Sequence, residues 1–450
     1  MFMKPGSLFA KINRPGSLNA RSLLIYRNVV QSVFVKGIGI LISFLTIPLT
    51  LKYINLEDFG IWMTITFLTS WFSLIDVSFG NGLRNKLVTF FTTGDVQTAR
   101  KYISTLYALS LCVALLLTIL FLTIGHYIQW TSVLNIQSSE PEQVNDIITY
   151  TLISFSAQLI LKPINSILFA DQKAAWVGWI LLLTNGVIIT IVYFGASTFD
   201  KSLLIIAHIY NLVPLVVLGL VSLYFFHYLY AGIAPRFMAI DFSLSHELFS
   251  LGGKFFILQL ISILVFTSGG LFISYFLGSA SVGPYSIANK YFSVITVLHG
   301  IVITPYWSAF TDAYVKHDKV WIRDTMRQLN HIGLGMALLA GLMALAANSI
   351  FRLWVGPAIT VPVDLSLSLM AYVVSFVFLS NYNSLINGTG QIRLLMYASL
   401  IGVVVYVGLT TILFRWLEAG PASVVIAGTV WNVSMLLVCR AEYKKIMYGL

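Results

Sequence analysis

Apolar runs separated by short polar breaks recur along the whole of this 450-residue chain. Each run is about 20 residues long, the length that a helix needs to cross the hydrocarbon core of a bilayer. Hydrophobic residues make up 58% of the sequence and charged residues only 10%. Because a soluble fold of this length could not bury so much apolar surface, the sequence predicts an all-α integral membrane protein.

Twelve runs are predicted to be transmembrane helices, six in each half of the chain. They occupy residues 28–53, 59–80, 104–129, 147–170, 175–197, 203–229, 254–277, 284–310, 329–351, 365–389, 394–416 and 421–440. The predicted organisation is a cytoplasmic N-terminal tail (1–27), an N-lobe (28–229), an inter-lobe cytoplasmic linker (230–253), a C-lobe (254–440) and a cytoplasmic tail (441–450).

The basic residues set the predicted orientation. Most of the 27 lysine and arginine residues lie in tails and loops on the side of the N-terminus, and the opposite side has only Lys52, Lys201, Arg352 and Arg415. Because cytoplasmic loops are enriched in Lys and Arg, both termini are predicted to be cytoplasmic. The net charge of +10 is explained by this scattered pattern, so no nucleic-acid partner is expected.

Short matches indicate that the two halves are related. The segment 52–62 resembles 274–285, and Asn165-Ser166 resembles Asn383-Ser384, in the same order along the chain. Six spans in each half would keep the two repeats in the same topology, related by an axis along the membrane normal. All predicted loops are short and no catalytic, nucleotide or metal-ligand motif is present, so neither an enzyme nor a cofactor is expected.

Three lysines, Lys36, Lys162 and Lys290, fall inside predicted spans. A charged side chain at the bilayer centre costs roughly 2.5–3.5 kcal/mol on insertion scales, so all three are candidate functional residues. The alternative is that each lysine reaches the headgroups or pairs with a structural acid. Gly37 and Gly39 flank Lys36 and predict the close approach of a neighbouring helix at that point.

Only one acidic residue, Asp76, lies in or at the edge of a comparable span, so the predicted interior is cationic and favours an anionic passenger. Asp76 is either a coupling or charge partner for a lysine, or a structural residue bonded to neighbouring backbone or Arg84.

Lys162 precedes Pro163, which can bend its helix, and Lys290 follows Asn289 about two turns from the predicted outer end.

Polar side chains within the spans form a second set of candidates. As a group they predict a hydrated path that accepts sugar hydroxyls, whereas hydrogen bonding between helices is the alternative for each one. The residues of this predicted sugar path are Gln31, Gln158, Asn165, Gln259, Asn289 and Asn383.

Several stretches are similar to those of a known family. They are Arg27-Asn28, PLTLKYINLEDFGIW at 48–62, IDVSFGNGLRNK at 75–86 and NGTGQ at 387–391. In these stretches the chain resembles the polysaccharide-export branch of the multidrug/oligosaccharidyl-lipid/polysaccharide (MOP) superfamily. The resemblance implies a MATE-like fold, with two six-helix lobes around a central cavity that opens alternately to each side.

The same resemblance implies a Wzx-type flippase, which moves undecaprenyl-pyrophosphate-linked oligosaccharide across the bacterial inner membrane. In that hypothesis the passenger is a repeat unit of O-antigen or another surface polysaccharide, and the three lysines attract its pyrophosphate or acidic sugars. Its partners would be the lipid-linked oligosaccharide, membrane lipid and other polysaccharide assembly proteins, and a monomer is expected. An ion gradient, the substrate gradient or both would drive transport.

Two other functions are alternatives. A MATE-type drug or cation antiporter shares the fold but would favour carboxylates in the membrane, where this chain has mainly lysines. A membrane polymerase or ligase would also span the membrane many times, but it would need a large outer loop with catalytic polar residues.

Overall fold

The computed structural model of the protein describes residues 18–171, 173–195, 202–245, 260–261, 264–265, 267–304, 306–357, 359–389 and 393–449. This described part is helical and has no β-strand. Nine of its helices are long and apolar enough to cross a membrane, and they coincide with nine of the predicted spans. They are Val96–Thr123, Pro141–Ala170, Ala175–Gly195, Leu203–Leu229, Ser279–Ile303, Lys319–Trp354, Val363–Thr389, Arg393–Arg415 and Ala422–Tyr448.

The helices are numbered in chain order. They are α1 (Leu18–Tyr53), α2 (Leu56–Thr93), α3 (Val96–Thr123), α4 (Trp130–Val133), α5 (Pro141–Leu161), α6 (Pro163–Ala170), α7 (Ala174–Gly195), α8 (Leu203–Tyr224), α9 (Gly269–Leu277), α10 (Val282–Ile303), α11 (Tyr306–Val315), α12 (Lys319–Trp354), α13 (Val363–Thr389), α14 (Arg393–Arg415) and α15 (Ala422–Gly449).

The three remaining predicted spans are the first, second and seventh. The first two fall within α1 and α2, and α1 contains the shorter apolar helix Gly37–Tyr53. The seventh, 254–277, lies partly outside the described residues, and α9 covers its end. The all-helical membrane class is therefore confirmed, and the count of twelve spans stays a prediction.

Two predicted spans each contain two helices: 147–170, which is divided between α5 and α6 at the residue before Pro163, and 284–310. The run 284–310 was expected to be continuous, but α10 ends at Ile303 and α11 begins at Tyr306. The sequence has a proline at position 305, and proline has no backbone N–H to donate within a helix. The hydrophobic run therefore predicted the length of this region correctly but missed its division.

Side chains that cap helices fix where several of them begin. Asp95 precedes α3 and accepts a hydrogen bond from the backbone N–H of Thr98 at 3.0 Å. Hydrogen bonds from Thr98 hold the pKa of the Asp95 carboxyl below its usual value. Asp318 precedes α12 and accepts in the same way from the backbone N–H of Trp321 at 3.0 Å. Both carboxylates lie at a helix N-terminus, where negative charge is favourable.

Packing divides the chain into two compact units. Unit 1 comprises Met1–Tyr53, Phe72–Ile128 and Asn145–Ile257, and unit 2 comprises Ile54–Trp71, Gln129–Val144 and Leu258–Leu450. Two segments of the first half of the sequence thus pack with unit 2. The predicted boundaries of the lobes, linker and tails remain predictions.

Direct contacts explain why those two segments belong to unit 2. The first turns of α2 touch the start of α10 so closely that a Cβ atom on Gly60 would collide with the backbone oxygen of Ser279. The loop after α4 is bonded to α9, since the Nδ2 of Asn135 donates to the oxygen of Tyr275 at 3.1 Å. The hydroxyl of Ser274 also donates to the oxygen of Leu134 at 2.5 Å.

In unit 1 two helices approach each other closely beside Lys36. No described atom lies within 4 Å of the position that a Cβ would take on Gly37 or Gly39. The neighbouring helix α7 instead packs against Val35, whose Cγ1 would be 2.6 Å from a Cβ on Gly178. Among the described residues, the glycine that permits the contact is Gly178 on the partner helix, and a close approach at Gly37 and Gly39 stays a prediction.

The first part of the predicted linker is fixed to unit 1. The backbone N–H of Arg236 donates to the hydroxyl of Ser104 at 3.0 Å, and that of Asp241 donates to the hydroxyl of Thr105 at 3.0 Å. The guanidinium of Arg100 also donates to the oxygen of Gly232. Residues 232–241 therefore follow the N-terminal end of α3.

A buried polar group joins the same linker to the end of α6. Lys173 Nζ lies 2.6 Å from a carboxylate oxygen of Asp171, and the Tyr230 hydroxyl donates to that oxygen at 2.7 Å. Burial and, secondly, the Asp171 charge raise the pKa of the Tyr230 phenol. The phenol stays protonated and can keep donating to Asp171.

Candidate functional site

The first candidate lysine lies at the junction of two helices in unit 1. Lys162 separates α5 from α6 and keeps helical backbone angles, with φ −62° and ψ −27°. Its N–H donates to the oxygen of Gln158 at 3.1 Å, and its oxygen accepts from the N–H of Asn165 at 2.9 Å. The three side chains therefore remain at helical spacing on one face, although Pro163 supplies no N–H.

An aromatic ring contacts the ammonium group of Lys162. The Nζ atom lies 4.2 Å from the centroid of the Phe155 ring, and this ring also contacts that of Phe72 at 6.2 Å between centroids. A cation over an aromatic face gains about 0.5–2 kcal/mol, the more so when it is shielded from water. Lys162 and Phe155 are both half-buried, so the ring helps to hold the charge inside the helix bundle.

Asn165 adds an unused acceptor to this face. Its side-chain oxygen is buried and has no hydrogen-bond partner among the described residues. An unpaired buried polar atom costs about 1–3 kcal/mol, so the site favours an incoming donor such as a hydroxyl. Phe155, Gln158, Lys162 and Asn165 are called the α5–α6 polar face.

The second candidate lysine lies in an unbroken helix of unit 2. On α10 the polar residues recur at i, i+3, i+4, i+7 and i+10, which places them along one side of the helix. These residues, called the α10 polar face, are Ser286, Asn289, Lys290, Ser293 and Thr296. The other side of α10 is packed, since Ala288, Phe292 and Ile295 are fully buried. Helix α10 therefore has one apolar and one polar side within a candidate membrane span.

The α10 polar face contains both satisfied and unsatisfied groups. The hydroxyl of Ser293 donates to the backbone oxygen of Lys290 at 2.7 Å. The hydroxyl of Thr296 donates to the backbone oxygen of Ser293 at 2.8 Å. The hydroxyl of Ser286 is buried without a partner in the described residues. Lys290 is half-buried and forms no ion pair with an acidic residue of the described part.

Asn383 lies on α13 and is half-buried. Its side-chain oxygen accepts from the Nδ2 of Asn387, one turn away, at 3.3 Å. The neighbouring Asn381 is fully buried and donates to the oxygen of Leu329 on α12 at 3.1 Å. Asn381 therefore joins two helices, whereas Asn383 retains an exposed portion and stays a candidate.

Two other buried amides, which are not among the candidates, form hydrogen bonds between helices. Asn211 donates to the hydroxyl of Thr151 at 2.9 Å, and Asn432 donates to the hydroxyl of Ser375 at 3.1 Å. Each bond joins two different helices. Such bonds are worth about 0.6–2 kcal/mol in membrane proteins.

Four predicted site residues lie outside this description. Gln31 and Lys36 belong to α1 and Asp76 belongs to α2, but their side chains are outside the described part, and so is the whole of Gln259. Their roles stay predictions. The described part brings Gln158, Lys162 and Asn165 onto one face and Asn289 and Lys290 onto another. The hydroxyls of α10 and the ring of Phe155 were missed, although their helical spacing from a lysine, of three, four, six or seven residues, was a readable signal.

The sequence of this membrane protein matches a known family over most of its length. Residues 25–310 match the family of polysaccharide biosynthesis proteins. The chain belongs to this family.

Two relatives in this comparison are similar over long stretches. A protein of Yersinia pseudotuberculosis whose name assigns it to O-antigen export is 23% identical over 286 residues, which are 62% of this chain and 63% of that protein. The match therefore spans less than two thirds of that relative. The membrane protein EpsK of Bacillus subtilis (strain 168) is 23% identical over 353 residues, which are 76% of this chain and 68% of that protein.

Solved structures show the fold. An inward-facing multidrug-resistance MATE family transporter of the MOP superfamily aligns with a TM-score of 0.73 at 16% identity, over 88% of this chain and 94% of that one. The lipid II flippase MurJ in an inward closed conformation aligns with a TM-score of 0.68 at 15% identity, over 94% of this chain and 89% of that one. The protein therefore has the fold of MOP-superfamily transporters.

Proposed function

We propose that the protein is a flippase for lipid-linked oligosaccharide. Its passenger is an undecaprenyl-pyrophosphate-linked repeat unit of O-antigen or another surface polysaccharide, carried across the bacterial inner membrane. Membership of the polysaccharide biosynthesis family supports the class of passenger. The relative assigned to O-antigen export supports the same class.

The observation that carries the proposal is the pair of half-buried lysines on polar faces inside candidate membrane spans. A lysine in a membrane span costs roughly 2.5–3.5 kcal/mol, and an anionic ligand offsets that cost by pairing with it. A lipid pyrophosphate provides such an anion. The oxygen of Asn165 beside Lys162 and the hydroxyl of Ser286 beside Lys290 are unpaired among the described residues. They provide hydrogen bonds for the attached sugars, because sugar hydroxyls both donate and accept.

In this proposal Lys36, Lys162 and Lys290 attract the pyrophosphate or acidic sugars. Asp76 acts as their charge partner or takes part in coupling. The polar side chains that meet the sugars are Gln31, Gln158, Asn165, Gln259, Asn289 and Asn383.

The transport cycle follows from a MATE-like arrangement. Twelve helices form two six-helix lobes around a central cavity, both chain termini are cytoplasmic, and rocking of the lobes exposes the cavity to each face in turn. The protein is a transporter and not an enzyme, and it works as a monomer. Transport is driven by an ion gradient, the gradient of the passenger, or both.

A deletion strain tests the proposal. Cells without the protein should lose surface polysaccharide and accumulate lipid-linked repeat units on the cytoplasmic face, and the wild-type gene should restore export. Lys52→Ala removes an exposed lysine at the end of α1 and is the matched control for Lys162→Ala and Lys290→Ala. Normal export in the deletion strain together with altered drug sensitivity would contradict the proposal and favour a drug antiporter.

A further inference from the structure

A pocket in unit 2 is lined by residues that belong to neither polar face. It has a volume of about 330 Å³ and opens between the first half of α12, the C-terminal part of α13 and the end of α15. The residues that line it are Arg323, Met326, Arg327, Asn330, His331, Leu334, Tyr382 and Tyr443. None of the proposed transport residues is among them, so the pocket is a separate feature of the molecule.

The wall of this pocket is cationic. Arg323 and Arg327 lie one turn apart on α12, and no acidic residue lines the pocket. The nearest carboxylate described beside Arg323 is the exposed Asp324, 4.0 Å from its Nε. Behind the wall, the Arg440 guanidinium lies 6.0 Å from the centroid of the Tyr382 ring. Two guanidinium groups one turn apart suit a phosphate, since each can donate two parallel hydrogen bonds.

Hydrogen bonds hold the uncharged part of the wall in place. The Nδ2 of Asn330 donates to the Tyr382 hydroxyl at 3.4 Å, and its Oδ1 accepts from Asn381 at 3.4 Å. The Tyr382 and Tyr443 rings meet edge to face, with 5.7 Å between centroids. The pocket therefore has a fixed aromatic floor beside its two arginines.

The position of the pocket along α12 indicates where its ligand comes from. This helix has 36 residues and is about 54 Å long at 1.5 Å per residue, whereas the hydrocarbon core is about 30 Å thick. Its first turns therefore extend into the headgroup region. Directly beyond the arginines, the same face of α12 has a row of exposed leucines. They are Leu334 at 59%, Leu338 at 69%, Leu342 at 56% and Leu345 at 86% exposure.

A cationic pocket that continues into an exposed apolar row matches a lipid with a phosphate headgroup and acyl chains. We propose that this pocket binds the headgroup of an anionic membrane phospholipid, with the phosphate at Arg323 and Arg327 and an acyl chain along the leucine row. Bases between helices on the predicted cytoplasmic side are typical of such lipid sites. The ligand is a resident membrane lipid, so the inference does not rest on the proposed flippase function.

The test uses the full-length protein in phosphatidylcholine nanodiscs with increasing amounts of phosphatidylglycerol. Lipid that remains bound is measured by native mass spectrometry. Each basic residue near a membrane surface contributes about 1 kcal/mol to anionic-lipid binding, so Arg323→Gln/Arg327→Gln should weaken the apparent affinity for phosphatidylglycerol about thirty-fold. The matched control is Arg352→Gln/Arg393→Gln, which removes the same charge from exposed residues outside the pocket; it should bind like the wild type.

Two results would overturn the inference. Equal loss of affinity in the two double variants would show that net charge, and not this pocket, retains the lipid. Displacement of phosphatidylglycerol by inorganic phosphate at millimolar concentration would show a site for soluble anions. Retained phosphatidylglycerol in the presence of phosphate, with loss only in the pocket variant, is the expected outcome.

Discussion

The α5–α6 polar face and the α10 polar face each place a lysine in a membrane span, but they do so by different means. Lys162 lies at a helix junction before a proline, with an aromatic ring 4.2 Å from its ammonium group. Lys290 lies in a continuous helix, where its neighbours are small hydroxyls and its own carbonyl accepts from Ser293. The first lysine is in contact with an aromatic ring, whereas the second forms no ion pair with an acidic residue of the described part.

The predicted internal repeat does not extend to these two lysines. With Asn165 matched to Asn383, Lys162 corresponds to Ser380 in the second half. With Gly60 matched to Gly283, Lys290 corresponds to a phenylalanine, Phe67, whose ring packs 6.2 Å from that of Tyr285. In the predicted repeat, neither lysine therefore has a cationic counterpart in the other half.

The largest expected effect is the loss of either lysine. Lys162→Ala and Lys290→Ala should each reduce surface polysaccharide at least tenfold at equal protein levels, because a charge pair near a protein surface is worth about 4 kcal/mol at 4 Å. Immunoblotting of surface polysaccharide beside Lys52→Ala checks this. If only Lys162→Ala has an effect, Lys290 is a bystander that reaches the headgroups, and the comparison reduces to one functional face.

The next effect concerns α1, which contains the third lysine. Gly178→Ala should destabilise the protein by about 1–3 kcal/mol, because the new methyl group would overlap Val35. Its control is Gly37→Ala, which meets no described atom and should leave the melting temperature unchanged. The melting temperature in detergent is the measurement. Equal melting temperatures for both variants would contradict the packing of α1 against α7 in unit 1.

A smaller effect is expected from the ring beside Lys162. Phe155→Leu keeps the volume apolar but removes the cation–aromatic contact, worth about 1 kcal/mol, so transport should fall about five-fold. Phe72→Leu removes only the ring that touches Phe155 and is the matched control. An equal loss in both variants would indicate that packing, and not the charge contact, matters at this face.

The smallest effect is expected on the α10 polar face. Ser286→Ala removes a buried hydroxyl without a described partner. The unpaired group no longer has to be buried, so the free energy of unfolding should increase by up to about 1 kcal/mol and the melting temperature should rise slightly. Ser293→Ala removes a hydroxyl that is already bonded to the backbone and serves as the control. A lower melting temperature for Ser286→Ala would mean that this hydroxyl is bonded.

Hydropathy alone was sufficient for nine of the spans, because each needs only about 20 apolar residues in a row. It missed the turn at Thr304 after α10, since two short apolar helices and one long one have the same composition. Lys162 and Lys290 could be identified from the sequence, because each is a charged residue within an apolar run. Which side chains surround them could not be predicted, because this depends on contacts between residues that are distant in sequence. The contact between Val35 and Gly178 is such a case, because the relevant glycine is about 140 positions away in sequence.

The pocket in unit 2 that is lined by Arg323 and Arg327 also could not be predicted from the sequence. Arg323 and Arg327 are among the basic residues on the side of the N-terminus, and the positive-inside rule predicts that this side is cytoplasmic. It does not predict that Tyr382 and Tyr443, from two other helices, complete a wall around them. Only the packing of α12 against α13 and α15 shows that these tyrosines lie beside the two arginines.

In the proposed function, cationic faces in the spans carry an anionic lipid-linked passenger. The most direct measurement is flipping of a lipid-pyrophosphate-linked oligosaccharide in proteoliposomes that contain the purified protein, its Lys162→Gln/Lys290→Gln variant or its Lys52→Gln variant. Flipping is expected from the wild type and from Lys52→Gln, with a rate near the protein-free background for the double variant. Flipping at the wild-type rate by the double variant would rule out a role of these lysines in transport.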